Sequence, residues 1–154
     1  MNVEIVKFPK TKVAVIEHVG SQAKENESVK QLIKWRIENK LPPSPKYKNY
    51  GVHYNDPNSV PENEYRVDLC LSIEEDVKPN DYGVITKFIP ELRCAKVTHL
   101  GSLETMTAAS FLYNEWLPSS GVKLAEFPVF FHYVNVGPDV KEDEMITDIY
   151  LPIL

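Results

Sequence analysis

From Lys12 to Val19 successive residues fall on two sides, with Val13, Val15 and Glu17 on one and Ala14, Ile16 and His18 on the other. A period of two with β-branched residues predicts a strand. Pro9, Lys10 and Thr11 predict a turn from a shorter strand over Val3 to Lys7. The period then changes. Val29, Leu32, Ile33 and Ile37 fall on one face of a 3.6-residue repeat and predict a helix over Lys24 to Asn39. Leu41-Pro42-Pro43-Ser44-Pro45 stops it, because proline cannot continue a helix. Strands follow near Tyr50 to Tyr54 and Tyr65 to Ile73, joined by a loop containing Asp56-Pro57-Asn58-Ser59 and Pro61-Glu62-Asn63.

The pattern then repeats. Val13 to Ser21 (VAVIEHVGS) resembles Cys94 to Ser102 (CAKVTHLGS), 81 positions on, and Phe8-Pro9 resembles Ile89-Pro90 at the same spacing. Val52 to Pro57 resembles Phe131 to Pro138 at a spacing of 79, and Val67 to Ile73 resembles Thr147 to Ile153 at 80. Ordered matches at one spacing mark an internal duplication. The copies are read as about 1–78 and 81–154, with a seam at Lys78-Pro79-Asn80-Asp81. In the second copy, strands are expected near Gly83–Phe88, Leu92–Leu100, Val129–Asn135 and Met145–Leu151. A helix is expected over Leu103 to Leu117, with Ser102 as N-cap and Pro118 beyond its end. The expected fold is α+β: two β-α-β-β modules related by a pseudo-two-fold axis. Each has an antiparallel sheet and one main helix, and a ligand groove lies between them.

The 154 residues suit one domain with a core of its own. With 22 acidic against 17 basic residues the net charge is −5, whereas a nucleic-acid-binding domain shows a basic excess. Direct DNA or RNA binding is therefore not expected; small molecules and proteins are. Cys70 and Cys94 sit in apolar runs and read as buried free thiols rather than a disulfide framework. No apolar segment follows Met1 and none approaches 18 residues, so a cytoplasmic protein with no membrane contact is expected.

No cofactor or metal is expected. His18, His53, His99 and His132 lack ligand spacing, and their repeat-equivalence points to a structural origin. No phosphate-cradling glycine loop and no Gly-x-Ser-x-Gly elbow occurs. Aromatic residues stand out instead. The helix over Leu103 to Leu117 is apolar on more than one face, so its second face borders either loops or a cavity. Phe131 and Tyr133 share one strand face, with Phe130 and His132 on the other, and Tyr50, Val52 and Tyr54 likewise share a face. Such side chains either pair across strands in a core or line a ligand groove. The candidate ligand-binding set is Trp35, Tyr50, Tyr54, Trp116, Phe131 and Tyr133, while Phe127 and Phe130 read as core. No catalytic residue is assigned.

These residues carry a resemblance. The series Val13 to Gly20, Leu32-Ile33-Lys34-Trp35, Gly51 to Pro57, Tyr65 to Asp68, Trp116 to Gly121, Phe127-Pro128, Tyr133 and Thr147 to Pro152 resembles the GyrI-like small-molecule-binding domain. That domain is the effector-binding part of some AraC-type and MerR-type regulators. The resemblance spans nearly the whole chain and implies the same duplicated fold. It leaves no room for a helix-turn-helix domain, so stand-alone members are the better comparison, among them a DNA gyrase inhibitory protein. DNA gyrase is thus an implied partner, with or without a ligand.

One departure matters. Many members carry a pocket glutamate two residues before the tyrosine matched by Tyr133, where it suits cationic ligands and, in some members, hydrolysis of reactive electrophiles. Here that position is Phe131, and Glu126, five residues earlier, is a poor substitute. An apolar or neutral aromatic ligand is expected, and hydrolase activity is not.

Overall fold

The chain is α+β, and its computed structural model describes residues 2–135 and 139–154. The last part of the Phe131-to-Pro138 repeat match, Val136-Gly137-Pro138, lies outside the described residues. The elements are β1 (Glu4–Phe8), β2 (Thr11–Val19), α1 (Glu25–Glu38), β3 (Asn49–His53), β4 (Arg66–Ser72), β5 (Ile85–Ile89), β6 (Leu92–Leu100), α2 (Ala108–Phe111), α3 (Leu117–Ser120), β7 (Phe130–Tyr133) and β8 (Ile146–Ile153). A π-helical turn, Leu112–Trp116, joins α2 to α3. No helix among the described residues is long and apolar enough to cross a membrane.

Two compact units result. One is Thr11–Ile89; the other combines the segment ending at Lys10 with Pro90–Leu154. These limits do not coincide with a seam near 78–81. In the first unit β4 lies between β3 and β2, and β5 pairs with the far side of β2, all antiparallel. In the second, β8 lies between β7 and β6, and β1 pairs with the far side of β6. The leading strand of each sequence copy thus completes the sheet that holds the other copy's remaining strands. Both do so in the same register. Thr11 faces Ile89 in one unit, and Leu92 faces Phe8 in the other.

In the first unit, α1 covers the sheet face bearing Ala14, Ile16, Val67, Leu69 and Leu71. The buried helix residues are Leu32 and Trp35, with Val29 at the margin. The expected stripe included Ile33 and Ile37, but these point outward and Ile37 is 73% exposed. Trp35 decides the rotation. A tryptophan buries more apolar surface than the isoleucine it displaces, and it lies three residues from Leu32 on the same face.

In the second unit, the helix departs further from the expected span. Leu103–Thr105 is a separate 3₁₀ turn, capped by Ser102 Oγ, which accepts from the Glu104 amide at 3.2 Å. The helix proper runs 108–120, through Pro118 instead of stopping before it. The π turn makes this possible. The Leu117 amide donates five residues back to the Leu112 carbonyl. Helical bonding then restarts with Pro118 in the first turn of α3, where a missing N–H costs little. Ser119 Oγ lies 3.0 Å from both the Glu115 and Trp116 carbonyls, and Ser120 Oγ donates to the Leu117 carbonyl at 2.9 Å. Gly121, at φ +75°, ends the helix.

At the end of α1 the left-handed position falls on Lys40, at φ +57°. Leu41 N–H donates to the Arg36 carbonyl at 2.9 Å and Lys40 N–H to the Ile37 carbonyl at 3.2 Å, the paired bonds of a Schellman cap. A side chain at this φ is strained. Replacing Lys40 with glycine should therefore stabilise the protein by about 0.5–1 kcal/mol. A higher urea midpoint at unchanged slope is the expected result, and a lower one would show that the Lys40 stem packs favourably.

Candidate functional site

The four histidines divide by position. His18, at the end of β2, donates from Nε2 to the Ser21 carbonyl at 3.0 Å and accepts at Nδ1 from Ser28 Oγ at 2.9 Å. It therefore ties a strand end to the start of α1. His99 repeats half of this latch, with Nε2 2.8 Å from the Ser102 carbonyl. His53 lies on the helix-facing side of β3, opposite Val67, and burial lowers its pKa to about 4, so it is neutral at pH 7. His132 faces the other side, with Nδ1 3.9 Å from Asp148.

The candidate aromatic residues fall on different faces. In the first unit Trp35 is 4% exposed and packs under α1. Tyr50 and Tyr54 lie on the opposite face of the sheet. Tyr50 is buried, which pushes its pKa up to about 12, whereas Tyr54 is 37% exposed. In the second unit Trp116 and Phe131 lie together on the helix-covered face, half-buried around Ala95, Val97, Leu112 and Ile149. Tyr133 follows on that face, its ring 6.3 Å from Phe131. Phe130, fully buried, points the other way and stacks on Tyr150 at 5.0 Å and against Phe8 at 4.9 Å. The helix-covered faces therefore differ. Under α1 the tryptophan is sealed in; under the segmented helix Trp116, Phe131 and Tyr133 all keep accessible surface.

A charged cluster in the first unit was not anticipated from the sequence. Glu17 and Asp68 are directly opposed on β2 and β4, a repulsive arrangement on its own. The Lys87 ammonium lies between them, 2.6 Å from Glu17 and 2.9 Å from Asp68. Tyr54 donates its hydroxyl to Asp68 at 2.7 Å, and Arg66 stacks over the Tyr54 ring at 4.1 Å while reaching Glu17 at 3.3 Å. Lys87 holds the Glu17 pKa below its ordinary value. Burial opposes the Lys87 charge, but the bonds to Glu17 and Asp68 outweigh it and raise that pKa. Burial, then the bond to Asp68, pushes Tyr54 up to about 12. An alternation pattern could show Glu17 and Asp68 on one face; that a lysine from β5 would join them depends on which unit β5 enters. Both bonds to Asp68 fall on Oδ2, and its buried Oδ1 has no hydrogen-bond partner.

Removing Lys87 would leave Asp68, 2% exposed, as an uncompensated carboxylate opposite Glu17. Lys87→Ala should cost about 2–3 kcal/mol and Glu17→Gln less than about 1 kcal/mol, because Glu17 is more exposed. Urea unfolding of the two variants checks the order; equal losses would mean that Lys87 acts only through its packing stem.

Comparison with known proteins agrees with this architecture. The chain is 34% identical over 154 residues to the probable transcriptional regulator YgiV of Escherichia coli strain K12, covering 99% of this chain and 96% of that one. It is 28% identical over 158 residues to a DNA gyrase inhibitor of Erwinia billingiae strain Eb661, covering 99% and 97%. The crystal structure of the EcmrR C-terminal domain shares the fold, with a TM-score of 0.77 at 16% identity over 99% of this chain and 97% of that one. Over its full span, residues 1–154, the sequence fits the GyrI-like small molecule binding domain, and the chain belongs to that family.

Proposed function

We propose that the chain binds a small, mostly apolar or neutral aromatic molecule through Trp116, Phe131 and Tyr133. The single observation behind this reading is the contrast between the two helix-covered faces. Trp35 is sealed into a core, while its counterpart Trp116 and two further aromatic rings are left half-buried. Half-buried rings on one sheet face offer stacking surface without a large exposed patch. Tyr54 is the exposed candidate on the other unit, with Tyr50 and Trp35 as packing behind their own sheet faces. Phe131 occupies the position of the family's pocket carboxylate, which favours a neutral ligand over a cation. We propose no hydrolase activity, since the Glu17 and Asp68 carboxylates are bound by Lys87 and Phe131 stands where the resemblance implies a pocket acid.

Thermal-shift screening with hydrophobic dyes and aromatic drugs should give stabilising hits that Trp116→Ala or Phe131→Asp weakens tenfold or more. Hits indifferent to both substitutions would refute the assigned residues.

A second reading follows from the relative named as a DNA gyrase inhibitor. In it the chain modulates gyrase by direct contact, and the −5 charge suits a protein partner better than DNA. Purified protein should then reduce gyrase supercoiling in a dose-dependent way. No effect at large molar excess removes this reading and leaves the ligand proposal standing.

A further inference from the structure

His99, Thr147 and Tyr133 form one row across β6, β8 and β7: His99 faces Thr147 directly, and Thr147 faces Tyr133. The row lies on the sheet face that also carries Phe131 and is covered by the segmented helix. The equivalent row in the other unit is His18, Val67 and His53. Two of its polar needs are met there or absent. His18 Nδ1 accepts from Ser28, and Val67 has no polar atom. In the His99 row both change. The helix presents Ala108 and Ala109 where α1 has Ser28, and Thr147 replaces Val67.

The Thr147 side chain is 0% exposed and its hydroxyl has no hydrogen-bond partner. Burying an unpaired hydroxyl is destabilising, and valine, of the same shape, avoids it at the equivalent position. His99 supplies the complementary group. Its Nε2 donates to the Ser102 carbonyl, which can only accept, so Nδ1 is the nitrogen left to accept a further hydrogen bond whenever the ring carries a single proton. Directly opposed residues of an antiparallel pair have Cβ atoms about 4.5–5.5 Å apart. One polar group entering from the helix side can therefore serve both.

We propose that Thr147 and His99 form the polar anchor of the ligand site and select a phenol, resting on the small-molecule reading above. A phenolic hydroxyl donates to His99 Nδ1, accepts from the Thr147 hydroxyl, and leaves its ring to pack against Trp116, Phe131 and Tyr133. A neutral aromatic without that donor leaves His99 Nδ1 unserved, and one without an oxygen leaves the Thr147 hydroxyl unpaired as well. A charged amine finds no carboxylate in this row.

Fluorescence titration of the full chain with 2-naphthol and with 2-methoxynaphthalene, its O-methyl analogue, tests this. The expected result is at least a tenfold preference for 2-naphthol. Thr147→Val should weaken both oxygen-bearing probes by threefold or more while melting no lower than the parent, since the substitution removes an unpaired hydroxyl. Ala109→Ser, which restores an internal donor for His99, should narrow the ratio. Equal affinities in the parent, or affinities for both probes untouched by Thr147→Val, would overturn the anchor while leaving the small-molecule reading intact, provided Trp116→Ala weakens both probes. Binding of neither probe at millimolar concentration would overturn both.

Discussion

A proline inside a helix imposes the constraint on which the packing of the second helix-covered face depends. Pro118 has no N–H to give, and a regular α-helix through it would clash with a carbonyl one turn back. The chain answers with one wide turn over Leu112–Trp116, so that Pro118 opens a new α segment, and the Ser119 and Ser120 hydroxyls bond back to carbonyls of the preceding turn. The consequence for packing is direct. α1 is a regular helix of 14 residues that seats Leu32 and Trp35 fully. The segmented helix buries Leu112 and Ala108 but leaves Trp116 half-exposed beside Phe131. A π turn places side chains where an α-helix would not, which is why such turns recur at functional sites.

The two copies thus illustrate how duplication frees one module to change. Where the first module pairs His18 with Ser28 and covers Val67, the second keeps only the His99 bond to Ser102 and buries Thr147 in place of the valine. On the opposite sheet face the first module carries the more elaborate polar arrangement, with Lys87 binding two opposed carboxylates. The counterpart of Asp68 in the second module, Asp148, accepts instead from Thr98 at 2.6 Å.

Most of the secondary structure was legible from periodicity. The strand over Thr11–Val19 carries the run Val13-Ala14-Val15-Ile16, and apolar residues stand out near Arg66–Ser72 and Ile146–Ile153. Two errors have physical causes. The buried face of α1 was assigned to Ile33 and Ile37 because periodicity counts apolar residues without weighing their size, whereas Trp35 dominates the area buried. The second helix was stopped at Leu117 because a proline normally ends one; the serines and the glycine that rescue it, in Trp116-Leu117-Pro118-Ser119-Ser120-Gly121, were in plain view but were matched only as a family motif. The Lys87 cluster was illegible for another reason. It joins residues on β2, β4 and β5 that are far apart in the chain, and no local pattern states which sheet β5 completes.

The exchange of leading strands reaches beyond local geometry. Because β1 pairs with β6 and β5 with β2, neither half of the gene encodes a finished sheet. A polypeptide ended at the repeat seam would carry β1 with no β6 to receive it, and would leave the edge of β2 bare from Thr11 to Val15. Bare edges recruit strands from other molecules. Such a half-gene product would be sticky rather than simply unfolded, and gene fission at the seam would be tolerated only where two half-chains were made together and traded their first strands.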